Sequence, residues 1–195
     1  MQTLNVKWIG TNPLLCHNEQ LADPMSPAAK ALSALTSRRG NAKKTETHVE
    51  DVARAEWDGG LYWDESVGPY LPAFNILAAI REGARLSKLG KEVERSVHLL
   101  GSDMVPILYE GPRTLDAMWE RGTVHVHRCG VKVGQAKIMR TRPKFSRWSL
   151  EFTLSIVDDR ISREDLERVM GDAGRYTGIG DFRARFGRFT VEVAS

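Results

Sequence analysis

Tyr176-Thr-Gly-Ile-Gly-Asp-Phe-Arg-Ala-Arg-Phe-Gly-Arg-Phe189 is the stretch from which the fold is read. It holds Gly178, Gly180 and Gly187, with Arg183, Arg185 and Arg188 and the rings of Phe182 and Phe186 between them. Glycine lets backbone N–H groups approach an anion closely, arginine supplies forked donors for phosphate, and aromatic faces stack on bases. The plain alternative is a tight turn whose arginines are solvated. Position weighs between the two. Upstream, Ser162 is a good N-cap and Glu164 and Asp165 sit where a helix dipole favours acids. Leu166, Val169, Met170 and Ala173 then recur at helical spacing, with Gly174 as the expected stop. Downstream, Phe189, Val191 and Val193 alternate as a strand. The stretch therefore joins helix to strand, the reverse of a dinucleotide-binding fingerprint.

Working back along the chain, Trp148, Leu150, Phe152, Leu154 and Ile156 alternate, which predicts a strand over 147–157. Before it, Val124-His-Val-His127 and Val131-Lys-Val133 alternate on either side of Gly130. This predicts a basic β-ribbon at about 122–142 that turns at Gly130 and is closed by Arg142-Pro143. Asp116–Glu120 reads as a short helix, and Val93–Leu100 and Val105–Tyr109 read as strands. Pro72 opens a long helix over 73–89, with Phe74, Leu77, Ala78, Ile80 and Ala84 as its stripe and Gly90 as its end. Leu4, Val6 and Trp8 predict a first strand. Between them, residues 14–58 form a polar insertion with short helices at Ala28–Leu35 and Thr47–Trp57 and a basic loop at Ser37–Lys44. The stronger elements run β-α-β-β-α-β. The expected fold is α+β and ferredoxin-like, of the kind RNA-recognition domains use, in a single domain over 1–195.

Net charge is only +3, too small to argue for nucleic acid by itself. Its distribution says more. Arg128–Arg147 carries seven basic residues and no acid, and Met25–Thr45 carries five and no acid. Acids gather in Glu46–Glu65 and Asp158–Glu167. Such segregation predicts a basic and an acidic face, against the alternative of unrelated solvated patches. No apolar run approaches the ~20 residues of a membrane helix, and the N-terminus lacks a signal peptide's apolar core, so a cytoplasmic protein is expected. Cys16 and Cys129 lie far apart and read as reduced thiols. No phosphate-binding Walker loop, nucleophile elbow or HExxH zinc motif is present. His125 and His127 would share a strand face, but no third ligand accompanies them, and neither a metal nor a cofactor is expected.

The glycine-rich connection between the second helix and the last strand resembles the RAMP superfamily of CRISPR proteins, on Gly178-Ile-Gly180 and Phe186-Gly-Arg-Phe189. The long insertion and basic ribbon are most similar to its backbone subunits, which polymerise along a guide RNA. The chain also resembles a set of small phage-borne proteins. The shared motifs are Asp23-Pro24, Arg142-Pro-Lys-Phe-Ser-Arg-Trp148 and Gly178-x-Gly-Asp-x-Arg-x-x-x-Gly-Arg-Phe189. These resemblances imply a nucleic-acid-binding protein, rather than an enzyme, that self-associates along a single strand of RNA or DNA. Its contacts would come from Gly178, Gly180, Arg183, Arg185 and Arg188, from Lys132, Lys137, Arg140 and Arg142 on the ribbon, and from Arg38, Arg39, Lys43 and Lys44 in the basic loop. RNA and DNA are not told apart, since that depends on the 2′-OH. Two alternatives stay open. One is a metal-independent endoribonuclease using His17 with Tyr176 and Lys44, or Asp23, as RAMP ribonucleases and cleaving backbone subunits imply. Asp23 is equally a turn residue before Pro24. The other is a phage assembly or inhibitor protein that binds another protein through its acidic Glu46–Glu65 face.

Overall fold

A computed structural model describes residues 2–37 and 45–194, with Val133 described by its backbone only. It is an α+β protein with several sheets. Two compact units separate along the chain. Unit 1 is Met1–Leu14, Trp63–Glu110 and Phe145–Ser195; unit 2 is Leu15–Tyr62 and Gly111–Lys144.

In chain order, strand β1 is Gln2–Gly10 and β2 is Leu14–Leu15. Helices α1 (Pro27–Thr36) and α2 (Glu46–Gly60) follow. Strands β3 (Trp63–Asp64) and β4 (Gly68–Pro72) lead into α3 (Ala73–Arg85) and α4 (Gly90–Ser96). Next come β5 (Val97–Leu100), β6 (Met104–Pro106), α5 (Leu115–Glu120), and the ribbon strands β7 (Val126–Val133) and β8 (Ala136–Phe145). The chain closes with β9 (Ser149–Ile156), α6 (Arg163–Asp172) and β10 (Phe189–Ala194).

In unit 1 a four-stranded antiparallel sheet runs β10-β1-β9-β5. Alternation decides its faces. Leu4, Val6 and Trp8 lie opposite Leu154, Phe152 and Leu150, and all six are buried. Trp8 stacks on Phe189 at 3.9 Å between ring centroids and meets Phe152 edge-on at 5.1 Å. Helices α3 and α6 pack against each other closely, and Gly83 sets the approach: a Cβ there would lie 2.4 Å from the Val169 carbonyl oxygen. A small β3-β4-β6 sheet completes the unit. The chain is thus not a bare β-α-β-β-α-β, because β3, β4, β6 and α4 are interposed.

Three expectations fail here for local reasons. The strand expected from Val93 is helix as far as Ser96. Val93, Ser96 and Val97 are the buried positions, and their spacing of three and four is helical. Gly90 does not end α3 but opens α4; the chain reverses at Lys88, whose φ is 61°, with the Leu89 N–H bonded to the Ala84 carbonyl. Likewise Gly174 does not stop α6, which runs on as a wider π-turn, Ala173–Thr177. Gly174 instead admits the backbone of β10, since a Cβ would lie 2.2 Å from the Phe189 carbonyl oxygen.

Unit 2 is built around Trp57 of α2, which is fully buried. Its indole N–H donates to the His125 carbonyl at 2.9 Å, and Trp119 meets it edge-on at 5.7 Å. The Arg54 guanidinium lies over both indoles, at 5.6 and 5.5 Å, and bonds Asp58 and Asp116. Strands β7 and β8 form the expected ribbon, with β2 added on the far side of β8. The ribbon turns at Gly134, with φ at +59°, rather than at Gly130. Gly130 is mid-strand opposite Met139, and its missing Cβ makes room for the Lys137 stem, which would otherwise meet it at 2.6 Å.

The expected histidine pair is also corrected. Strand β7 begins at Val126, and His125 precedes it at the end of a 3-10 turn, buried rather than on a strand face. Its Nδ1 lies 3.3 Å from the Lys144 carbonyl oxygen, and the Lys144 N–H donates to the His125 carbonyl at 2.8 Å. Burial pushes its pKa down, against a smaller upward pull from the Lys144 carbonyl. The fold therefore favours neutral imidazole. That contribution is fully present above the unfolded value of about 6.5 and is lost as pH falls through it toward the lower folded value. Urea midpoints are expected to fall between about pH 7.5 and about pH 5.5, and His125→Asn, which keeps a donor near Nδ1, should flatten that slope. An unchanged slope in the variant would count against this assignment.

Candidate nucleic-acid interface

The glycine-arginine loop is fastened to the end of β1. The Gly178 N–H closes the π-turn on the Ala173 carbonyl at 2.7 Å, and the Ile179 N–H donates to the Gly187 carbonyl at 2.9 Å. The Gly187 N–H reaches the Pro13 carbonyl at 2.8 Å. Asn12 is the clamp: its side-chain amide donates to the Arg185 carbonyl at 2.6 Å, and its Oδ1 accepts the Arg188 N–H at 2.7 Å. Asn12 is itself held by the Trp148 indole, which donates to its carbonyl at 2.9 Å. The N–H groups of Gly178 and Gly187 are thus spent inside the chain, and these glycines shape the loop rather than offer donors outward. Gly180 is a third turn position, with φ at +83°.

The groups the loop does present are side chains. Arg183, Arg185 and Arg188 are all exposed. Arg183 is partly neutralised by Glu82 at 3.1 Å, while Arg185 and Arg188 make no ion pair among the described residues. Asn12 was missed in the sequence. An Asn after a strand reads as a turn residue, and nothing local says that it reaches the far end of the chain.

The ribbon divides its cations by face. Lys132 stands directly opposite Lys137, and Arg128 lies four residues from Lys132 on the same face. All three are exposed, with Met139 exposed between them. On the other face Arg140 is paired to buried Glu56, and Arg142 is buried with a nitrogen 4.0 Å from the Cys129 sulfur. Of the four ribbon residues expected to meet a ligand, Lys132 and Lys137 face outward, and Arg140 and Arg142 are occupied structurally. Arg128 belongs with the first pair. Period-two counting back from Lys132 would have found it. Arg38, Arg39, Lys43 and Lys44 lie outside the described residues.

The exposed sheet face is a poor platform for nucleic acid. It carries Asn5, Lys7, Glu151, Thr153 and Glu192 around a hollow of about 630 Å³. Lys7 bonds Glu151 at 2.7 Å, and this contact, with the nearby Glu192 charge, raises its pKa. Two acids against one base repel phosphate, and the sheet aromatics Trp8, Phe152 and Phe189 are buried on the other face.

The ribonuclease candidates are placed as follows. His17 is exposed in unit 2, Tyr176 is exposed in unit 1, and Lys44 lies outside the described residues. Asp23 accepts the Met25 N–H at 2.9 Å and so acts as a turn residue ahead of α1. Among the described residues no group of three or more His, Cys, Asp or Glu is placed to hold a metal ion, and no helix is long and apolar enough to cross a membrane. No protein-family model matches the chain, and no curated protein matches it in sequence.

Proposed function

We propose that this chain binds single-stranded nucleic acid mainly through its phosphate backbone, using the glycine-arginine loop and the outward face of the β7–β8 ribbon. The observation that carries the reading is Lys132 set directly against Lys137. Like charges opposite one another destabilise a strand pair, and no described carboxylate pairs with either lysine. Arg128 adds a third cation to that face. A polyanion would relieve the repulsion. Arg185 and Arg188 add two exposed cations on a loop whose backbone Asn12 hydrogen-bonds.

We further propose that unit 1 is a ferredoxin-like domain of RAMP type. The β10-β1-β9-β5 order supports this, with α3 between β1 and β5 in sequence and α6 between β9 and β10. On that reading repeated copies line up along the strand, and the acidic sheet face takes no part in binding.

The test is fluorescence anisotropy with labelled RNA and DNA strands of about 15 nucleotides, titrated at rising salt. Binding should weaken steeply with salt, and Lys132→Glu with Lys137→Glu should lower the salt slope by about two. An absence of binding at low salt, or a double variant with wild-type slope, would overturn the proposal.

A further inference from the structure

Phe182 combines partial exposure with a left-handed backbone. Its residue is 38% exposed, and its φ is +55°. The other described non-glycine residue with positive φ is Lys88, which ends a helix. For a bulky side chain this region is an outlier that persists only when its surroundings hold it there. Here they do. The Phe182 N–H donates to Asp181 Oδ1 at 2.9 Å, and the Phe182 carbonyl accepts the Phe186 N–H at 3.0 Å. Phe186 supports the ring edge-on at 6.4 Å, and the Arg185 guanidinium covers Phe186 at 5.9 Å. Glycine would fit the backbone better. What a phenyl adds is a ring at the surface, preceded in sequence by Asp181 and followed by Arg183 and Arg185.

We infer that Phe182 is a base-stacking residue, so that the ligand at this loop is a strand with unpaired bases whose phosphates meet the neighbouring arginines. This rests on the proposed function and sharpens it: the loop reads single-strandedness through a base, while the ribbon holds phosphate alone. A duplex interior offers no free base face, so duplex binds through phosphate only. Stacking on one aromatic corresponds to a preference of about tenfold for a base-bearing strand.

The experiment compares three probes of equal length by anisotropy at one salt concentration: an oligothymidylate, the same phosphodiester strand without bases, and a duplex. The full chain is used, with Phe182→Gly and Phe182→Tyr. Wild type and Phe182→Tyr should bind the base-bearing strand about tenfold more tightly than the abasic one. Phe182→Gly should lose that preference and keep its affinity for the abasic strand. Equal binding of the two strands by wild type overturns the inference and leaves the proposed function standing. So does a Phe182→Gly variant that retains the preference, which would make the ring an anchor or a contact for another protein. Binding of none of the three probes removes both readings.

Discussion

Gly187→Ala is expected to destabilise unit 1 by about 4 kcal/mol or more, the largest effect of any single methyl in the loop. Two causes add. The φ of Gly187 is +71°, and an L-residue there costs roughly 1–2 kcal/mol. The added Cβ would also sit 1.7 Å from the Ile179 carbonyl oxygen and 2.8 Å from its carbon. Those atoms are backbone, so no rotamer change relieves the overlap. Relief requires opening the Ile179 N–H to Gly187 carbonyl bond and the Gly187 N–H to Pro13 bond, each about 1 kcal/mol, and displacing the buried Ile179. Gly134→Ala is the internal control. It shares the positive φ, at +59°, but a Cβ there meets nothing within 4 Å, so only the conformational part, about 1 kcal/mol, should appear. Urea unfolding of the two variants beside wild type gives the comparison. Equal losses would mean that crowding at Ile179 does not set the cost.

The same residue shows how far the sequence could be read. The glycines announced a turn, and the flanking helix and strand fixed where the turn falls. Alternation at Leu4–Trp8, Leu150–Ile156 and Phe189–Val193 was legible because one side of each strand is buried and the other is wet. The cap at Ser162 was legible because its side chain accepts the backbone N–H three residues on, at Asp165. What could not be read depends on partners distant in sequence. Gly130 and Gly174 carry the same letter as a turn glycine, yet they are kept for a lysine stem and a strand backbone that pass over them. Arg140 and Arg142 looked like free cations because their surroundings, Glu56 and the interior of unit 2, come from elsewhere in the chain. Basic runs report charge, and only the fold reports which charges are spent.

Glu56 is the clearest case, and Glu56→Ala should destabilise unit 2 by about 3 kcal/mol. The residue is 4% exposed and lies beside Trp57, three residues after Ala53, on the apolar stripe of α2. An acid in that stripe signals a buried partner, a clue present in the sequence. One carboxylate oxygen pairs with Arg140, and the other accepts the Thr141 N–H at 2.7 Å. Next along this side of β8, the Cys16 N–H donates to the Pro143 carbonyl just past the two-residue β2. Where β2 gives no further strand, the carboxylate supplies the acceptor that the ladder lacks. The two contacts should differ in weight. Arg140 keeps 35% of its side chain exposed, so its charge can turn to water and the ion pair is discounted accordingly. The Thr141 amide is buried and has no such escape, which makes its orphaning the larger part of the loss. Glu56→Gln keeps an acceptor and should cost only about 1 kcal/mol. Adding Arg140→Ala to Glu56→Ala should recover little, because the Thr141 N–H stays unpaired. Urea midpoints measure the totals, and hydrogen exchange at the Thr141 amide locates them, with faster exchange in Glu56→Ala and near-native exchange in Glu56→Gln. Full recovery on removing Arg140 would instead assign the cost to an uncompensated charge.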